Sequence, residues 1–298
     1  MIREGVRLSP PGLGGVRPPA VAGSFYPGDA TQLREALTAC FEPPRGPGGL
    51  FRSAPGPSAS QPVLAGVVPH AGYPYSGPVA AHFFAQLARG PLPPRVVLLG
   101  VDHHGVGSTL SVCDADWETP LGRIRTDRDI VSLLTAGLAR ADSFAHSREH
   151  SLEVELPFLQ FVYGDSALSV VGIQVPFREF PTLHRWGRGL REALGDRKVL
   201  YLASSDLSHY LPRREARRKD AHALDALVTL SAEDLYRRVE SEGITMCGVA
   251  PVTVLLSALE GTPARAEVLC YQDSADAEPM DRVVGYASVA IREPTPGA

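Results

Sequence analysis

Three sets of metal-binding and proton-moving side chains each follow directly on a short apolar run. His70 follows residues 63–68, Asp102, His103 and His104 follow residues 96–100, and Asp206 and His209 follow residues 199–203. Imidazoles bind divalent metals and change charge near neutral pH, and carboxylates complement them in both roles. His103 and His104 are adjacent, and side chains alternate along an extended strand, so at most one of them can point at a shared ligand. Cys247 adds a sulfur donor just ahead of a helical stretch, where amide donors and the helix dipole are expected to favour the thiolate. Two imidazoles and one thiolate would make a three-donor set with open positions, the arrangement of a reactive centre and not of a closed structural one. The sulfur shifts preference toward copper(I), zinc or iron(II). Asp206 and His209 offer an acid/base or substrate-orienting pair beside that set.

For these residues to meet, the chain must deliver them to one edge. The three runs are rich in Val and Leu and bounded by Gly or Pro, which predicts fully buried strands. Helical patterns between them predict parallel strands in one sheet, with all three clusters at the carboxyl ends, where open α/β sheets bind ligands. Helices are predicted over 33–41 with Asp29 as cap, over 78–87 opened by Pro78, and from Thr126 or Asp127 to 138. Another is predicted over 151–163, capped by Ser151, with Glu153 and Glu155 near its positive end and Pro157 kinking it or delaying its start. Further helices are expected over 181–194, 214–230 and 251–259. Strands are expected over 168–175, 266–271 and 283–291, the last two antiparallel. The expected architecture is a single three-layer α/β domain over residues 19–292 with a central mixed, mainly parallel sheet. Gly and Pro content predicts a flexible arm over 1–18, a flexible loop over 42–62 and a tail over 293–298.

Composition narrows the function classes. A net charge of -4 over 298 residues argues against a nucleic-acid footprint or an anionic membrane surface. The four cysteines show no CxxC spacing, which suits reduced thiols in a cytoplasm. No apolar stretch has the length of a membrane span. His82, His184 and His222 read as ordinary surface or packing histidines, Cys113 and Cys270 as inert buried thiols, and Cys40 as exposed beside the loop. The basic run of Arg213, Arg214, Arg217, Arg218 and Lys219 reads as a solvated helix face. His146-Ser147-Arg148-Glu149-His150 matches the H-x-x-E-H pattern of a metallopeptidase family, but that chemistry needs both histidines on one continuous helix. Phe144, Ala145 and Ser147 start a helix poorly and Ser151 caps after the motif, so the context argues against a peptidase.

Six ordered blocks make the chain similar to a known family: PAVAGSFYP from Pro19, PHAGYPYSG from Pro69, LLGVDHHG from Leu98, EHSLEVELPF from Glu149, SSDLSHY from Ser204 and MCGVAP from Met246. Together they resemble the Memo-like family, whose bacterial members are called AmmeMemoRadiSam system protein B, over residues 17–292. The resemblance implies a fold related to LigB-type class III extradiol dioxygenases and one metal ion per chain, iron(II) or copper with zinc as the redox-silent option. It implies that His70, His103 and Cys247 are the metal ligands, that Asp206 and His209 are the catalytic pair, and that Glu149 and His150 stand at the site edge. Phe25 and Tyr73 are expected to line the pocket. Cysteine stands where the dioxygenases have a carboxylate, so dioxygenase activity does not carry over. Asp102 adds an extra carboxylate next to the predicted ligands. The implied function is a mononuclear metal-dependent oxidoreductase acting on an unidentified small molecule or peptide. The alternative is a non-catalytic scaffold, and a radical S-adenosylmethionine protein and an AMMECR-type protein are the implied partners.

Overall fold

Along Val96, Val97, Leu98 and Leu99, successive side chains enter two different apolar clusters, Val97 and Leu99 one, Val96 and Leu98 the other. A strand that is apolar on both faces must be covered on both, which requires a layer of helices on each side. The computed structural model describes residues 15–50, 62–164 and 166–293. In chain order the elements are β1 (Val16–Arg17), α1 (Ala30–Phe41), β2 (Val63–Val68), α2 (Tyr73–Ala88), β3 (Arg95–Val101), β4 (Ser111–Val112), β5 (Asp116–Thr119) and β6 (Gly122–Thr126). There follow α3 (Arg128–Thr135), β7 (Arg140–Ala141), a 3-10 turn (Glu153–Glu155), α4 (Leu156–Tyr163), β8 (Ser169–Val175), α5 (Phe180–Leu194), β9 (Leu200–Ser204) and β10 (His209–Pro212). The last are α6 (Arg213–Val228), α7 (Ala232–Glu242), α8 (Val249–Ala258), β11 (Arg265–Asp273), a second 3-10 turn (Ser274–Asp276) and β12 (Arg282–Arg292).

The main sheet runs β1-β5-β6-β8-β3-β9-β2-β12-β10. Its centre, β6 through β2, is parallel, and β12 lies antiparallel to β2, β10 and β11. This is the mixed, mainly parallel α/β sheet that the alternation of strand and helix patterns predicts. Helices α1, α2 and α4 cover one face, and α3, α5, α6, α7 and α8 cover the other. Helix α2 lies close against the sheet because Gly66 leaves room for it: a Cβ there would come within 2.0 Å of the Phe83 ring.

Several local expectations change. Helix α2 begins at Tyr73, so Pro78 lies inside it and not at its first turn. A proline there leaves the carbonyl four residues earlier without its helical donor. The Arg45 guanidinium supplies one, donating to Pro74 O at 2.7 Å and also to Tyr75 O. Residues 42–50 therefore form a turn tied to α2, while 51–61 lie outside the described residues. Ser151 caps no helix; its hydroxyl accepts from the Val101 amide at 2.9 Å, and Pro157 delays α4 by way of the 3-10 turn. Helix α7 was not expected, although Ser231 accepts from the Asp234 amide and Gly243 closes it in the left-handed region, both ordinary helix signals. Val16 and Arg17, within the segment expected to be an arm, pair with β5, and Arg17 is buried. Residues 1–14 and 294–298, parts of the expected arm and tail, lie outside the described residues. Cys40 is buried in the cluster under α1 and not exposed. Arg213 and Arg217 of the basic run are ion-paired to Asp273. No helix among the described residues is long and apolar enough to cross a membrane.

Candidate metal centre

The carboxyl ends of β2 and β9 are neighbours, with Val68 paired to Ser204, and β9 lies beside β3. That register brings His70, which follows β2, and His103, which follows β3, to the same edge. Their ring centroids are 5.3 Å apart. The loop of residues 146–150 brings a third imidazole. His150 stacks on His103 at 4.5 Å and lies edge-on to His70 at 5.5 Å. One nitrogen from each of His70, His103 and His150 lies within 4.8 Å of the others, a group that could hold a metal ion. Cys247, at the N-terminal approach to α8, lies next to it with Sγ 3.4 Å from His70 Nε2. Gly248 permits this approach, since a Cβ there would meet Ser205 at 2.3 Å, and its amide donates to Ser205 Oγ at 3.0 Å.

Each imidazole is oriented by the atom on its other side. Glu149 accepts from His103 Nδ1 at 2.9 Å and from the His103 amide at 2.9 Å, which turns Nε2 of His103 outward. The same carboxylate accepts from the amides of His150 and Ser151 at 2.9 and 2.8 Å. Burial alone would raise the Glu149 carboxyl, but these donors, His103 first, hold it well below the usual carboxylate range. His70 Nδ1 lies 2.7 Å from Ser204 Oγ, which leaves Nε2 facing Cys247. Burial and the neighbouring imidazoles keep His70 neutral, and burial lowers His150 to about 4. A neutral imidazole is the form that ligates.

The donor chemistry fits a metal. Ordinary zinc bonds of about 2.0 Å to nitrogen and 2.3 Å to sulfur, at a tetrahedral angle, separate the two donors by about 3.5 Å. The His70–Cys247 spacing matches that separation. The carboxylate behind His103 is the partner that metal-ligating histidines regularly have.

The structure revises other predicted roles. Burial, reinforced by the Asp206 carboxylate, pushes the Cys247 thiol up; the expected lowering by the helix start does not prevail. Asp206 does not orient His209. Its carboxylate accepts from the His70 amide at 2.9 Å, and burial raises it to about 6. The Asp206 amide donates to Cys247 Sγ at 3.3 Å. His209 is held instead by Thr245, its Nδ1 2.8 Å from the carbonyl and its amide 2.7 Å from the hydroxyl. Phe25 does border the cluster, 4.8 Å from the His150 ring. Tyr73 is buried beneath, with its hydroxyl on Val154 O at 2.9 Å and its ring on Phe158, so it serves as packing and not as pocket wall. Asp102 accepts from the amides of Val106 and Gly107 and from Gln174 Nε2, which makes it the organiser of its own loop. His104 is exposed and bonds to Arg148 O; it and His103 lie in a turn beyond the end of β3, so the turn and not strand alternation separates the two rings. Residues 146–150 are not helical, and His146 faces the core against Trp117 and Ser111.

Sequence reasoning missed the clamp beneath the cluster. Arg17 is buried and ion-paired to buried Glu153, and it also donates to His146 O at 3.1 Å and Glu149 O at 2.7 Å. Glu153 accepts from the amides of Ala20 and Val21 and from the Tyr26 hydroxyl. Together they tie the segment carrying Phe25 to the loop carrying Glu149 and His150. The available signal was a pair of glutamates in an otherwise apolar stretch, Glu153 and Glu155. Surface cavities of about 470 Å³ beside Arg188 and about 330 Å³ beside Arg34 include no residue of the cluster.

The chain is similar to a protein family, to individual members of it and to a solved structure. A family model described as Memo-like protein matches residues 17–290. A MEMO1 family protein of Methanococcoides burtonii is 38% identical over 280 residues, covering 93% of this chain and all of the relative. Relatives from Methanopyrus kandleri and Ignicoccus hospitalis, both named MEMO1 family protein, are 38% and 39% identical, covering 93% and 94% of this chain and 99% of each relative. The crystal structure of an uncharacterized protein from Escherichia coli K12 superposes with a TM-score of 0.53 at 16% identity, over 76% of this chain and 99% of that one, and shares the fold. With a match that spans nearly all of the described residues, the chain belongs to the Memo-like protein family.

Proposed function

We propose that this protein binds one metal ion through His70, His103 and Cys247, iron(II) or copper with zinc as the redox-silent option, and acts as an oxidoreductase on a small molecule or peptide. The observation that carries the reading is the convergence on His70: its Nε2 faces Cys247 Sγ at 3.4 Å, inside a group of three imidazoles. Bound iron or copper would supply one-electron chemistry. Around it, Glu149 holds His103, and Asp206 holds the His70 backbone and the Cys247 sulfur through its own amide. His209, with Nδ1 donating to Thr245 O, presents Nε2 as a proton acceptor. His150 and Phe25 form the wall that a substrate would meet.

Metal content of protein purified without oxygen tests the reading, with Cys247→Ser and His150→Ala beside the parent. The expected result is stoichiometric iron or copper in the parent, loss in Cys247→Ser and retention in His150→Ala. The reverse pattern would assign the third ligand to His150. Absence of metal from the parent would discard the oxidoreductase and leave the scaffold reading.

A further inference from the structure

Glu155 is fully buried at the end of the 3-10 turn, and no assigned role uses it. Its Oε1 accepts from Ser204 Oγ at 3.3 Å, and its Oε2 has no hydrogen-bond partner among the described residues. A buried polar atom without a partner costs about 1–3 kcal/mol, so its retention calls for a reason. Ser204 Oγ is in turn 2.7 Å from His70 Nδ1. The three groups make one line, carboxyl to hydroxyl to imidazole, that ends on Nε2 facing Cys247.

We propose that Glu155 is a positioning residue that sets, through Ser204, which ring nitrogen of His70 carries the proton. A hydroxyl has a single hydrogen. With that hydrogen given to Glu155 Oε1, Ser204 can offer His70 only a lone pair, so Nδ1 carries the ring proton and Nε2 stays bare. Oε1 is an acceptor when the carboxyl is ionised or carries its proton on Oε2, whereas a proton on Oε1 would reverse the line and put the His70 ring proton on Nε2, the outcome that overturns the assignment. A bare Nε2 is what a metal needs. The inference rests on the reading of His70 as a metal donor for its purpose, but not for its geometry.

The test is nitrogen NMR of metal-free protein with isotope-labelled histidine rings, together with Zn²⁺ affinity by chelator competition. The parent is expected to show a protonated Nδ1 and a bare Nε2 at His70. Glu155→Leu removes the acceptor, frees the Ser204 hydrogen to point at Nδ1, and moves the ring proton to Nε2. Zn²⁺ binding then weakens by about tenfold or more. Ser204→Ala removes the bridge and lets both ring forms appear. Glu155→Gln keeps a carbonyl acceptor and restores the parent ring form, which a role of charge would not produce. An unchanged Nδ1–H ring in folded Glu155→Leu, or a parent ring protonated on Nε2, would overturn the proposal. Should Glu155→Leu not fold, Ser204→Ala carries the same readout, and an unchanged, single ring form there overturns it. If the parent binds no Zn²⁺, the metal reading fails while the ring measurement still decides the relay.

Discussion

Glu149 shows how much one side chain does in this centre. Its carboxylate collects the His103 ring, the His103 amide and the amides of His150 and Ser151, so it fixes both the direction of one imidazole and the path of the loop that brings another. Glu149→Gln keeps the shape but removes the charge that the ring proton of His103 meets. Metal affinity is expected to fall by about 10–100-fold, measured by chelator competition. His146 makes a second prediction. Burial lowers it from 6.5 to about 4. At neutral pH neither folded nor unfolded chain protonates it. As pH falls below 6.5 the unfolded chain takes up a proton that the folded chain refuses until about 4. Stability is therefore lost through that window, by roughly 1.4 kcal/mol per pH unit for this group. In His146→Phe that share of the slope should vanish, seen as a difference between variant and parent in urea unfolding at a series of pH values.

At the scale of elements, the Arg17–Glu153 pair fastens β1 and the following segment to the loop ahead of α4. Both partners are buried, so removing one leaves a charge that nothing compensates. Arg17→Leu is expected to cost about 3–5 kcal/mol, read from the urea midpoint, and Arg17→Leu with Glu153→Leu should recover part of that loss. Equal destabilisation in the double variant would mean that the pair matters through packing and not through charge. The Arg45 guanidinium works in the same manner on α2, donating to the Pro74 carbonyl that Pro78 leaves open and to the Tyr75 carbonyl beside it. In each case a residue from a Gly- and Pro-rich stretch satisfies polar groups that its target element cannot satisfy alone.

Across the whole molecule, the centre joins the ends of β2, β3 and β9 to the loop before α4 and the start of α8. A ligand that binds only this assembled arrangement must stabilise the whole fold by mass action. Free Zn²⁺ at a hundred times its dissociation constant should raise unfolding free energy by about 2.7 kcal/mol, seen as a higher melting temperature in calorimetry. That rise should disappear in His70→Ala. A rise that persisted there would place the ion elsewhere on the surface.

The sheet and its ligand edge were legible in the sequence because they depend on local patterning. Runs such as residues 63–68 and 96–100 are apolar at every position, and only a strand covered on both faces buries such a run. The ends of those strands carry His70 and His103, so their meeting followed from parallel pairing. The separation of His103 from His104 is set by a turn beyond β3 and not by the strand alternation expected from the sequence. What the tertiary structure alone decided was which distant groups answer one another. Thr245 and not Asp206 holds His209, since β10 runs beside the segment ahead of α8. Arg17 reaches Glu153 across the chain, and His150 joins the cluster from a loop without periodicity. Hydrogen-bond partners remote in sequence leave no periodic trace, because a side chain's partner depends on where two backbones cross and not on its neighbours along the chain.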